Sequence, residues 1–161
     1  MGEATAEVGG VRRARAAEAA ELSELALRSK AHWGYDAEFL EACRPELTLT
    51  PELIEQQDVY VLENGGRIVG FYSLVPWKSE IELCHFFVDP PAIGRGVGRQ
   101  LWDDAVERAR ARGHRRFLIQ SDPNAEGFYR KLGAERIGLV PSQARPGRDL
   151  PLLVYAIDSG E

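Results

Sequence analysis

The sequence predicts a mixed α/β protein, and three observations carry the prediction. Apolar runs of strand length recur at residues 11–14, 59–63, 67–74, 81–88, 116–120, 136–140 and 152–157. Segments with helical periodicity separate some of these runs, most clearly at 16–29 and 97–112. Others are joined only by turn-sized links such as Asn64-Gly65-Gly66, which makes a hairpin of its flanking strands. Helices between strands argue for α/β order, and hairpins argue against a purely parallel sheet. The expected architecture is one mixed sheet of six to seven strands flanked by about four helices.

With 161 residues the chain is long enough for one domain with a proper core and too short for two. Residues 1–10 are polar, glycine-bearing and unpatterned and read as a flexible tail, leaving 11–161 as a single domain. A composition of 44% hydrophobic and 28% charged residues is that of an ordinary soluble globular protein. The net charge of −5 argues against a general nucleic-acid binder. No apolar run reaches transmembrane length and no signal-peptide core opens the chain, so no membrane association is expected. Cys43 and Cys84 make neither a disulfide framework nor a metal-ligand pattern. Cys84, inside an apolar strand, reads as a small hydrophobe. The expected compartment is the cytoplasm, and no metal is expected.

Each element has a local reason. Leu22, Leu25 and Ala26 fall on one face of the first helix, which Gly34 ends. Asp36 is placed to cap a second short helix carrying Phe39 and Leu40, and Thr50-Pro51 is a cap followed by a first-turn proline. Residues 81–88 are nearly all apolar and stop abruptly at Asp89-Pro90. Beyond them Val97, Leu101, Ala105 and Ala109 recur every four residues, with Trp102 and Val106 beside them, until Gly113. Asp122 reads as the N-cap of a helix that starts at Pro123 and is followed by Gly133. Residues 142–149, with Pro146-Gly147, form a loop before the last strand.

Gly94, Gly96 and Gly98 therefore sit where a buried strand hands over to a helix. Glycine permits close backbone approach, and the first N–H groups of a helix lack intrahelical partners. Together with the helix dipole they suit a phosphate or pyrophosphate, and Arg95 and Arg99 add positive charge. The spacing is not the G-x-G-x-x-G of a dinucleotide fold, and no Gly-Lys-Ser/Thr follows as in a P-loop. The stretch resembles the CoA pyrophosphate loop of the GNAT acetyltransferase superfamily, Gln/Arg-x-x-Gly-x-Gly/Ala. Gly96 and Gly98 match it, and Ile93 stands where the family has Gln or Arg. A second stretch resembles the family's Ala-x-x-Phe-Tyr-x-x-x-Gly-Phe. Ala125, Phe128, Tyr129 and Gly133 match, and Ala134 replaces the aromatic. Asp122 occupies the position where many members carry Asn, so Asn124 is displaced from it. The resemblance covers about residues 59–132 and weakens over the last two strands. The N-terminal third matches only as the family's variable acceptor-side helices.

The resemblance implies a mostly antiparallel sheet, acetyl-CoA as co-substrate, and N-acetyltransferase activity. Transfer is expected to a primary amine of a small molecule or peptide, by direct attack in a ternary complex. CoA is expected along Phe86, Phe87 and Val88 of a splayed central strand and along the loop through Ile93, Gly94, Arg95, Gly96, Val97, Gly98 and Arg99. Asn124, Phe128 and Tyr129 complete that set, although for Phe128 simple core packing is the reading its residue type supports. Such a transfer needs a neutral amine, a stabilised oxyanion and a proton for the departing thiolate. Backbone N–H groups near Phe86 to Val88 are the implied oxyanion donors, and Tyr129 is the implied acid. Glu82 lies where several members carry a base, with Glu80 and His85 as rivals. Simple alternation puts His85 on the face opposite Glu82, and a bulge would change that parity.

His32, Trp33 and Tyr35 cluster at the break between the first two helices, the segment that walls the acceptor pocket in this family. They suit a cationic or aromatic amine through cation–π contact, and suit equally a hydrophobic plug on the sheet. Ser142, Arg145 and Arg148 read as a carboxylate or phosphate reader or, more simply, as solvated surface residues. The expected partners are acetyl-CoA and an amine acceptor, and a homodimer is compatible with the sequence. Two other functions compete. A non-catalytic acyl-CoA binding or sensing module would keep the loop without needing Glu82 and Tyr129. A nucleotide-phosphate binder unrelated to CoA would have no use for the Phe128-Tyr129 helix.

Overall fold

A computed structural model describes residues 10–157. The tail expected over residues 1–10 lies outside the described residues apart from Gly10, which opens strand β1 (Gly10–Arg13). Helices α1 (Ala19–Ala31), α2 (Ala37–Leu47) and α3 (Pro51–Gln56) follow. Strands β2 (Asp58–Asn64), β3 (Arg67–Trp77) and β4 (Glu80–Val88) form a meander. Then come α4 (Val97–Ala111), β5 (Arg116–Gln120), α5 (Glu126–Lys131), β6 (Glu135–Pro141) and β7 (Asp149–Ala156).

Short-range chemistry acts where expected. Asp36 accepts the Phe39 N–H at 2.8 Å and Thr50 accepts the Leu53 N–H at 3.1 Å, so both cap their helices. Helix α2 runs further than a short helix, continuing through Pro45 to Leu47. An interior proline costs a helix about 3 kcal/mol, and burial of Phe39, Cys43 and Leu47 on one side offsets it.

The strands form a seven-stranded sheet in the order β1-β2-β3-β4-β5-β7-β6. Neighbours are antiparallel except β4 and β5. Helices α1, α2 and α3 cover one face, over Val59, Val61 and Phe71. Residues of α4 and α5 pack on the other, over Tyr72, Leu83, Phe117 and Leu153. The parallel seam is short: Glu82 opposite Leu118 is the one β4–β5 pair in register among the described residues. Beyond Glu82 the two strands part, which opens the middle of the sheet.

Strand β4 also carries a bulge. Leu74 faces Leu83 and Tyr72 faces Phe86, so Ser73 stands opposite both Cys84 and His85. The extra residue resets the alternation. Phe86 and Val88 pack with Leu83 in the α4-side core, while Phe87 joins the core under α1 and α2. The His85 ring lies 6.0 Å from Phe71 and 6.3 Å from Phe87, on that second side. Simple alternation is therefore corrected: His85 shares the face of Glu82.

Helix α4 lies tight against β3. A Cβ on Gly70 would come within 2.9 Å of Leu101 Cδ1 and 2.9 Å of the Phe87 carbonyl oxygen. The backbone oxygen cannot swing aside as a side chain does. Gly70→Ala is expected to destabilise the fold by about 1–3 kcal/mol, read as a lowered denaturant midpoint with unchanged slope.

Candidate active site

Strand β4 ends at Asp89, a buried carboxylate held by Arg28 at 3.1 Å and Arg67 at 3.5 Å. After a single turn at Pro90–Ala92, Gly94 (φ 86°) and Gly96 (φ 84°) take the left-handed backbone. An added Cβ would touch nothing within 4 Å at either position, so conformation rather than room calls for glycine there. Gly96 is thereby the N-cap of α4, and the first helical bond runs from the Gln100 N–H to the Gly96 carbonyl at 3.1 Å. The amides of Val97, Gly98 and Arg99 precede that bond and form the electropositive end of a fifteen-residue helix. At Gly98 space does matter: a Cβ would lie 3.1 Å from Phe128 Cζ.

A cavity of about 660 Å³ runs from this loop, through the gap between β4 and β5, to the underside of α1 and α2. Phe86, Phe87, Val88, Ile93, Gly94, Gly96, Gly98, Arg99, Phe128 and Tyr129 all line it. Three residues expected at CoA do not. Arg95 is exposed outside it, Val97 is buried in the core, and Asn124 donates from Nδ2 to Tyr35 Oη at 3.0 Å. Phe128 is 38% exposed, which corrects its reading as core. The Asp89 N–H donates to the Val69 carbonyl at 2.8 Å, so alternation turns the N–H groups of Val88 and Phe86 the other way, into the gap.

Glu82 enters the cavity from the position where β4 last pairs with β5 and is only 7% exposed. Burial lifts its carboxyl above the ordinary value of 4.5, against a hydrogen bond from Gln120 that pulls it down. Its rivals are differently placed. Glu80 lies at the far end of β4 and is paired with Arg116 at 2.5 Å, which holds it below the usual carboxylate range. His85 is buried, with Nδ1 2.7 Å from Ser73 Oγ. That same oxygen accepts the His85 backbone N–H at 3.1 Å, so Ser73 ties down both the ring and the backbone of His85. Burial pushes the imidazole below 6.5, with the Glu46 carbonyl acting in the opposite sense. Neutral, buried and tied to Ser73, His85 is poorly suited to take a proton.

Cys84 is not a core hydrophobe. It is exposed, and its surface faces the cavity. Poor hydration inside that enclosure pushes the thiol up to about 12, with the charge of Glu82 adding to the effect. Tyr129, 6% exposed, is held by the Phe86 ring at 5.7 Å and Trp102 at 5.9 Å. Burial, and then the charge of Asp122, raise its phenol above 10, so it stays protonated at neutral pH. A raised carboxylate and a protonated phenol in one cavity can accept and donate a proton respectively.

At the other end, His32 and Trp33 are exposed, meet edge-to-face at 5.9 Å and line the cavity. Tyr35 is not part of its lining. Its hydroxyl lies 3.0 Å from both Asp122 oxygens and accepts from Arg148 Nη2 at 2.7 Å. Burial, then Asp122, push this phenol up to about 12. Asp122 caps the turn at Pro123 by accepting the Asn124 N–H, and also pairs with Lys30 at 2.7 Å. Burial alone would raise its carboxyl, but Lys30 and the other donors hold it below 3.8. Lys30, Glu46 and Gln120 line the cavity with no signal in the sequence beyond their neighbours.

The fold aligns with the PaiA N-acetyltransferase from Thermoplasma acidophilum, solved in complex with coenzyme A. The TM-score is 0.74 at 17% identity, over 91% of this chain and 98% of that one, a likeness of fold. In sequence, the chain is 33% identical over 101 residues to an uncharacterized N-acetyltransferase of Methanocaldococcus jannaschii, covering 56% of this chain and 45% of the relative. It is 30% identical over 103 residues to the N-alpha-acetyltransferase RimI of Mycobacterium tuberculosis, covering 59% of this chain and 63% of the relative. The chain thus spans less than two thirds of either relative's length. Residues 17–147 match the family profile described as "Acetyltransferase (GNAT) domain", and with that match spanning most of its length the chain belongs to the GNAT acetyltransferase family.

Proposed function

We propose that the protein transfers an acetyl group from acetyl-CoA to a primary amine of a small molecule or peptide, by direct attack within a ternary complex. The observation that carries this reading is the single cavity joining the amide-rich start of α4 to both Glu82 and Tyr129. The amides of Val97, Gly98 and Arg99 suit the pyrophosphate, and the parted strands leave room for the pantetheine arm. The N–H groups of Phe86 and Val88 turn toward the thioester carbonyl and stabilise the oxyanion as it develops. Glu82 takes the proton that the ammonium group must lose, directly or through water, and Gln120 orients its carboxylate. Tyr129 returns a proton to the departing sulfur.

The test is ligand-dependent stability. Acetyl-CoA at a hundredfold excess over its Kd is expected to stabilise the fold by about 2.7 kcal/mol, with ATP and NAD giving no comparable shift. Gly98→Leu is expected to abolish the acetyl-CoA shift, because its side chain fills the approach to the helix start. Phe128, exposed on one side, can yield to the new side chain, so the unliganded fold survives. No thermal shift with acetyl-CoA in the unaltered protein would falsify the reading.

A further inference from the structure

Phe39 of α2 is surrounded by three cations. Arg145 Cζ lies 4.5 Å from its ring centroid, Arg148 Cζ 4.8 Å and Lys30 Nζ 5.9 Å. Lys30 and Arg148 also each lie 5.4 Å from the centroid of Tyr35. Among the described residues one ion pair falls within this cluster, that of Lys30 with Asp122 at 2.7 Å. Neither Arg145 nor Arg148 has a carboxylate within salt-bridge distance among the described residues. Aromatic faces soften like-charge crowding through their quadrupoles, but they do not neutralise it. Arg148 is half-buried and lines the cavity, which corrects its reading as a solvated surface residue. Its guanidinium is fixed by the Tyr35 hydroxyl at 2.7 Å and keeps further N–H groups for a ligand.

The far end of the same cavity has the opposite sign. Glu82 lines it there, and its charge bears on the neighbouring Cys84 thiol. The spacing of the two ends can be read along one stretch of chain. Gln120 bonds Glu82, and Asp122, two residues on, holds Lys30 and Tyr35. Two residues of extended chain span roughly 7 Å. A ligand that satisfies both ends carries its cation and its anion several bonds apart.

We propose that the acceptor amine bears an oxyanion, a carboxylate or a phosphoryl group, at the end of a chain of several atoms, and that Arg148 binds it with support from Lys30 and Arg145. This names the acceptor class for the acetyl transfer proposed above and rests on that reading. An Arg148 fork suits either oxyanion, and a charged hydrogen bond of this kind is worth one to two orders of magnitude in affinity.

The experiment follows CoA release by chromatography for matched acceptors: 6-aminohexanoate against hexylamine, 3-aminopropylphosphonate against propylamine, and glycine as a short-span control. In the unaltered protein kcat/KM is expected to be about 10- to 100-fold higher for the anionic member of a pair, mostly through KM, with glycine poor. The better of the carboxylate and phosphonate pairs identifies the oxyanion. Arg148→Gln is expected to bring the ratio toward one, and Arg148→Lys, which keeps the charge, to retain part of it. Equal use of hexylamine and 6-aminohexanoate, or an equal loss on both in Arg148→Gln, overturns the anion site and leaves acetyl transfer standing. A ligand-observed NMR titration of hexanoate onto the CoA-bound protein reads the site without turnover. Hexanoate binding lost in Arg148→Gln supports the site even if every amine proves inert, in which case the transfer reading fails alone. No binding with no turnover overturns both.

Discussion

Glu82→Gln is expected to lower kcat/KM by about 100-fold or more, the usual cost of losing a general base. The limb of the pH profile belonging to Glu82 should vanish with it. In the unaltered enzyme activity climbs with pH through a value that burial has lifted above 4.5. The amine titrates in the same direction, so both proteins must be compared on one acceptor. Stability offers a second readout with a definite sign. A raised carboxyl pKa means that the folded state binds more protons than the unfolded state between 4.5 and the raised value. The unaltered protein therefore loses stability as pH rises through that window, and Glu82→Gln does not. The variant should melt higher than the parent above the window and level with it below 4.5. An unchanged rate and profile in Glu82→Gln would remove Glu82 from the chemistry.

Tyr129→Phe is expected to lower kcat by about 100-fold while leaving the acetyl-CoA thermal shift in place. The ring keeps its contacts with Phe86, Trp102 and Phe128, so only the hydroxyl is lost. Because burial raises the phenol above 10, its ionisation should impose no downturn in rate at neutral or mildly alkaline pH. Unchanged turnover where chemistry limits the rate would assign the proton to water and Tyr129 to packing.

What could be read from the sequence was what short-range chemistry decides. The caps at Asp36 and Thr50, the Asn64-Gly65-Gly66 turn and the left-handed glycines before α4 depend on residues within a few positions of each other. The face of His85 could not be read that way, because the bulge exists only in the pairing of β4 with Ser73 twelve residues earlier. Cys84 was misjudged for the same reason: an apolar run does not reveal that its neighbour strand departs. The cluster around Tyr35 was further out of reach. It joins Tyr35 to Asp122 and Arg148, which are 87 and 113 residues away along the chain. The extent of α2 depended on tertiary burial overruling Pro45.

The bulge bears on how this cleft responds to different kinds of genetic change. Strand β4 holds one residue more than β3 can match, and a strand with such a surplus bends and twists more strongly. The surplus falls at Cys84, two residues after Glu82, the last position at which β4 pairs with β5 among the described residues. The opening is thus a matter of residue count more than residue identity. Any side chain at position 84 re-papers one wall of the cleft. Deleting that codon would let His85 face Ser73 alone, keep Glu82, His85 and Phe87 on their present side, and straighten the strand toward β5. Substitution there tunes what the protein can accept, whereas loss of a single residue would tend to zip the sheet shut.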